Sequence, residues 1–104
     1  MSIKTRLNPT ERRDQLIQVG LRIASDNGYI RLSHGEVANA AKCSKGLVVK
    51  HFPTLEKLHS AVVGAAVYSK DLRVIAEALV YRHPMALHCP EQLRRQAIDS
   101  LTDN

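Results

Sequence analysis

The chain has 104 residues, a net charge of +5 and 44% hydrophobic residues, enough for one domain around a single modest core. A second, ligand-binding domain is not expected at that length. The polar residues after Met1 do not read as a signal peptide, and no apolar run approaches membrane-spanning length. Two cysteines, Cys43 and Cys89, suit reduced thiols in the cytoplasm rather than a disulfide framework. The positive excess is one-sided: residues 1–59 hold ten Lys/Arg against five Asp/Glu, and residues 60–104 hold five of each. A basic surface on one part of a small domain is the footprint expected for phosphate binding, although acidic lipids or proteins are served by the same charge.

Residues 1–8 form a short basic arm carrying Lys4 and Arg6. Asn8 as N-cap, Pro9 at the first helical position and Glu11 at the third open a helix that runs to about Asp26, where Asn27-Gly28 supplies a left-handed stop. Leu16, Gly20 and Ile23 with Ile17, Leu21 and Ala24 form its apolar face. Arg12, Arg13 and Arg22 fall on or near the polar face, where Arg12 and Arg13 either join the arm on a nucleic-acid backbone or are plainly solvated.

Residues 33–58 are the most informative stretch. Ser33 and Glu36 have the spacing of a capping box, so a short helix starts at His34, with Val37, Ala38 and Ala41 as its apolar stripe. The pattern breaks at Lys42-Cys43, and Ser44 offers a second N-cap for a helix from Lys45 to Phe52 that Pro53 ends. Two helices joined by a turn of three or four residues have the spacing of a helix-turn-helix, whose second helix lies in the DNA major groove. Val48 and Phe52 lie one turn apart and bury inward, leaving Lys45, Leu47, Val49 and Lys50 outward as the candidate DNA contacts. Gly46 is a poor helix former, but a missing side chain at the front of such a helix lets backbone approach backbone. Ser33, His34, Ser44 and His51 complete the candidate surface. On the residues alone His51 reads as a half-buried polar cap on this helix.

After Pro53, Thr54 caps a long helix with two apolar sides. Leu55, Leu58, Val62, Ala65, Leu72, Ala76 and Leu79 follow one line, and Val63, Val67, Val74, Ala78 and Tyr81 follow another. The first side meets the preceding helices. The second is expected to meet a twofold-related copy, unless the terminal segment folds back over it. Gly64 or Ser69-Lys70-Asp71 are the places where this segment would break in two. His83-Pro84 closes it, Pro84 to Cys89 is a loop, and Leu93, Ala97, Ile98 and Leu101 line a last amphipathic helix from about Pro90 to Leu101. The expected fold is all-α: an arm (1–8), a helix-turn-helix head (9–58) and a helical extension serving dimerisation (59–104).

The run from Gln15 to Leu58 resembles the DNA-binding domain of the tetracycline-repressor (TetR) family. The residues that carry the resemblance are Gly28-Tyr29, Ser33, Val37-Ala38, Ala41, Ser44-x-Gly46, His51-Phe52 and Glu56-x-Leu58. The turn glycine usual in that family is Lys42 here, the aromatic that often reaches a phosphate is Val49, and the lysine that often opens the next helix is Leu55. The resemblance implies a homodimer on double-stranded DNA, with His51 near the backbone.

Other chemistries find little support. No phosphate-cradling loop, zinc-protease motif or nucleophile elbow is present, and His83, His88 and Cys89 lack the paired spacing of a structural zinc site. Neither catalysis nor a cofactor is expected. The reading is a transcriptional repressor on the nucleoid that occupies a (pseudo)palindromic operator. No small-molecule effector is expected, and control is left to protein level, autoregulation or a protein regulator. Two rivals are an adaptor or antirepressor that kept the fold, and a non-specific architectural DNA binder.

Overall fold

The computed structural model describes residues 7 to 102, so Lys4 and Arg6 of the arm lie outside the described residues. Among the described residues the chain is all-helical: α1 (Pro9–Asn27), α2 (His34–Ala41), α3 (Lys45–His51), α4 (Leu55–Ser69), α5 (Leu72–Val80), α6 (Pro84–Leu87) and α7 (Glu91–Thr102). No helix is long and apolar enough to cross a membrane.

Local chemistry sets most boundaries. At α1 the Asn8 side chain accepts from Glu11 N (2.8 Å) while Asn8 N donates to the Glu11 carboxylate (3.1 Å), a reciprocal capping box. At α2 the Ser33 hydroxyl accepts from Glu36 N (3.1 Å), and Ser44 and Thr54 cap α3 and α4 in the same way through Leu47 N and Lys57 N. Gly28, at φ 95°, ends α1, its N–H returning to the Ala24 carbonyl.

The expected long helix is two. It breaks at Lys70, whose φ of 61° is left-handed, and Gly64 stays inside α4. Lys70 N donates to Val67 O and Asp71 N to Ala66 O, the paired bonds of a Schellman turn. Identical pairs follow α2, where Lys42 is at φ 58°, and α5, where Arg82 is at φ 57°. Three helices thus end on a basic residue in a conformation that favours glycine. The expected loop from Pro84 to Cys89 contains the single turn α6, with Pro84 at its start and the His83 side chain as its N-cap.

The break redirects the second apolar side. α5 returns against α4, and α7 packs along α5 with Leu93 and Ala97 buried. Val63, Val74 and Ala78, expected at a dimer seam, are fully buried in the chain's own core. That assignment is corrected: the terminal segment folds back and covers them. Val67 is half-buried and Tyr81 is 55% exposed.

α1 and α4 cross closely at Gly20, where an added Cβ would stand 2.9 Å from Val62 Cγ2. α2 packs on α1 and α3, and the core joins Leu16, Leu32, Val37, Val48, Phe52, Leu58 and Val62 to Ile75. Glu77 of α5 reaches the α1–α2 loop, accepting from Tyr29 N (2.7 Å) and Ile30 N (3.4 Å). A loop whose N–H groups would otherwise be unpaired is tied to the extension.

Replacing Lys70 by glycine removes the steric cost of its left-handed backbone. Lys70→Gly is expected to raise stability by about 0.5–1 kcal/mol, read as a higher denaturant midpoint at unchanged slope; an unchanged or lower midpoint contradicts it.

Candidate nucleic-acid interface

The surface centred on α3 grows out of one buried residue. Phe52, directly after α3, is 1% exposed, and its N–H donates to Val48 O (2.8 Å). The Arg13 guanidinium lies 4.6 Å from the centroid of its ring and donates to the His51 carbonyl (3.4 Å). The ring of His34 donates through Nε2 to the Phe52 carbonyl (2.7 Å). α1, α2 and α3 therefore meet at the end of α3, with Val48 and Phe52 inward as their spacing predicts.

The angle between α2 and α3 comes from the turn at Lys42, Cys43 and Ser44. Lys42 N donates to Asn39 O and Cys43 N to Ala38 O, so α2 is closed before Ser44 caps α3. The left-handed Lys42 stands where the resembled family has its turn glycine.

With Val48 inward, α3 presents Lys45, Gly46, Val49 and Lys50 to solvent, and Leu47 is half-buried. Val49 is 37% exposed. The helix sequence KGLVVKH contains no acid. A Cβ on Gly46 would meet nothing nearer than Ser44 Oγ at 4.0 Å, so no neighbour within the chain requires glycine there. Ser33 and Ser44 spend their hydroxyls on caps, and His34 is committed to Phe52. These three shape the surface from within.

A cleft of about 260 Å³ runs between the start of α1 and α3, lined by Leu7, Pro9, Arg12, Leu47, Lys50 and His51. Burial and then the charges of Arg13, Lys50 and Arg12 lower the pKa of His51 below the usual histidine value. Its ring is thus a neutral partner among cations. Arg12 also donates to the Gln15 side chain (2.8 Å). The ionisable residues that line this cleft, Arg12, Lys50 and His51, are all basic, which is the electrostatic condition for an anionic backbone.

Sequence reasoning missed the stacking of Arg13 on Phe52, the His34 bond to Phe52 and the reach of Glu77. The partners lie 39, 18 and 48 residues apart, and no local pattern pairs them. Among the described residues no group of three or more His, Cys, Asp or Glu is placed to hold a metal ion. Cys43 and Cys89 are free thiols.

A capped α2, a three-residue turn and an outward basic α3 on an all-helical scaffold are the architecture of a helix-turn-helix protein. Over 64 residues, 62% of this chain, the sequence is 34% identical to the HTH-type transcriptional regulator LuxR of Vibrio harveyi. The chain spans 31% of that protein's length. No family model matches the chain, and no solved structure matches it.

The open space at Gly46 makes a stability prediction independent of function. Gly46→Ala is expected to fold and to gain up to about 1 kcal/mol from helix propensity, measured by thermal or denaturant unfolding; a clear loss of stability means that the glycine serves the fold.

Proposed function

We propose that this chain is a sequence-specific DNA-binding transcriptional regulator, a repressor that occupies a (pseudo)palindromic operator as a homodimer. The observation that carries the reading is the solvent face of α3: Lys45, Val49 and Lys50 stand outward on a helix without acids, flanked by the Arg12, Lys50 and His51 cleft. The likeness to a curated transcriptional regulator over 64 residues of the chain supports it. In this reading α3 enters the major groove. Lys45 and Lys50 contact phosphate or guanine, Leu47 and Val49 contact thymine methyls, and Gly46 lets the backbones approach. Arg12 and His51 take the backbone beside α3. Occupying a promoter excludes polymerase without any catalytic group, in the cytoplasm and on the nucleoid.

Twofold symmetry needs an exposed face, and with Val63, Val74 and Ala78 in the core we assign it to α4 and α6. Tyr68 of α4 is 92% exposed, Met85 sits against Gly64 one turn away, and Leu87 is exposed nearby in sequence. An adaptor reading draws on the exposed Val49 and Leu55, the latter 46% exposed at the start of α4. Binding-site selection with the purified protein separates the possibilities. A selected motif supports the regulator, sequence-blind binding supports an architectural protein, and no binding leaves the adaptor.

On the selected site, Lys45→Ala and Lys50→Ala are each expected to weaken binding without unfolding the protein, lowering the salt slope of log K by about 1 per lost phosphate contact. Gly46→Ala is expected to weaken binding while the fold is kept. Unaltered affinity and slope in all three variants would remove α3 as the reading helix. For assembly, Tyr68→Glu is expected to shift the sedimenting species from dimer to monomer at unchanged helix content; a wild type that is monomeric at micromolar concentration ends the dimer proposal.

A further inference from the structure

Away from α3, an aromatic cluster joins the extension to the loop that leads into α2. Tyr29, 2% exposed, packs edge-on against three rings: His59 at 5.5 Å, His83 at 5.9 Å and Tyr81 at 6.2 Å between centroids. The hydrogen bonds fix where the protons sit. His59 Nε2 is 2.8 Å from the Leu32 carbonyl, which only accepts, so that nitrogen carries hydrogen. His83 Nδ1 accepts from Met85 N (3.2 Å), so that nitrogen carries none. The other ring nitrogen, Nε2, then donates to Ser60 Oγ at 3.3 Å. His83 is therefore neutral in this arrangement, and a protonated ring has no lone pair left for the α6 cap.

We propose that His83 is a proton-sensitive latch: its neutral ring holds the α5–α6 turn and α6 against α4 and Tyr29, and protonation in mild acid releases them. Protonation removes the Nδ1 acceptor that caps α6 and places a cation on a ring that packs beside Tyr29 and His59. The groups facing His83 decide the balance. α4 supplies His59, Ser60 and the single carboxylate of Glu56; the α1–α2 loop supplies Tyr29; the turn itself supplies Tyr81 and the cation of Arg82. Glu77 spends its carboxylate on Tyr29 N and Ile30 N, and His88, directly after α6, holds the Pro84 carbonyl through Nδ1 (2.8 Å). Burial first, and then His59, lower the pKa of His83, and Glu56 raises it by less.

The sign follows. A histidine whose folded pKa lies below its unfolded value contributes fully above the unfolded pKa, and the contribution is lost as pH falls toward the folded one. The latch holds at neutral pH and opens below about pH 6.5. Its consequence lies at Tyr29 and Leu32, the loop residues that precede Ser33 and α2. The inference stands on this cluster alone and is independent of whether α3 binds DNA.

The test is an NMR titration of the full chain with amide exchange, on wild type and on His83→Asn, whose side-chain oxygen still caps α6 but does not titrate. In wild type the His83 ring is expected to titrate below about 6.5. Between about pH 7.5 and pH 5, exchange at Ala86 and Leu87, corrected for intrinsic rate, is expected to accelerate roughly tenfold or more while α1 and α2 stay protected. In His83→Asn that acceleration is expected to vanish. A ring that titrates at or above the ordinary value, equal acceleration in both proteins, or uniform acceleration through α1 and α2 would each overturn the latch.

Discussion

Burial of the single phenylalanine, Phe52, is the constraint on which the head depends. It stands at the end of α3, its ring under Arg13 of α1 and its carbonyl held by His34 of α2. Losing a buried phenylalanine ring typically costs about 3–5 kcal/mol, against roughly 1 kcal/mol for one ordinary hydrogen bond, so apolar anchoring outweighs the polar contacts around it. Those polar contacts set direction. They fix how α3 is rotated, and rotation decides that Lys45, Val49 and Lys50 face solvent while Val48 faces the core.

The extension is shaped by a different economy. Lys42, Lys70 and Arg82 each occupy a left-handed position that costs an L-residue about 1–2 kcal/mol. Each closes a helix through two backbone bonds that satisfy carbonyls otherwise left without partners. At Lys70 the return of α5 onto α4 buries Val63, Val74, Ile75 and Ala78, and burial of one large aliphatic side chain is worth about 1.5–3 kcal/mol. Apolar burial across the turn therefore exceeds its strain. It also removes those valines from any partner and leaves Tyr68, Met85 and Leu87 as apolar surface.

Head and extension meet where α4 crosses α1 at Gly20 and Val62, and again at the loop between α1 and α2. Glu77 pairs its N–H groups, and Tyr29 inserts its ring among His59, Tyr81 and His83. The loop so held leads into α2, which packs directly on α3. The surroundings of α3 and of His83 differ in kind. Around α3 the cations face solvent, whereas around His83 the ring nitrogens are committed to internal partners.

The sequence by itself determined the helix starts at Pro9, His34, Lys45 and Leu55, because Asn8, Ser33, Ser44 and Thr54 act on backbone groups only three residues away. It also determined that Val48 and Phe52 bury and that Lys45 and Lys50 do not, since one turn of helix separates each apolar residue from the next. The tertiary structure alone decided where the long apolar segment breaks. Gly64 and the Ser69–Asp71 cluster are equal candidates by composition, and only packing of Val74 and Ala78 onto α4 favours Lys70 in the left-handed state. It decided too that His34 turns inward to Phe52 and that Glu77 reaches Tyr29, because the partners lie 18 and 48 residues apart. Local caps and periodicity are encoded within a turn or two of chain; the direction in which a second apolar face is covered depends on the free energy of distant surfaces meeting.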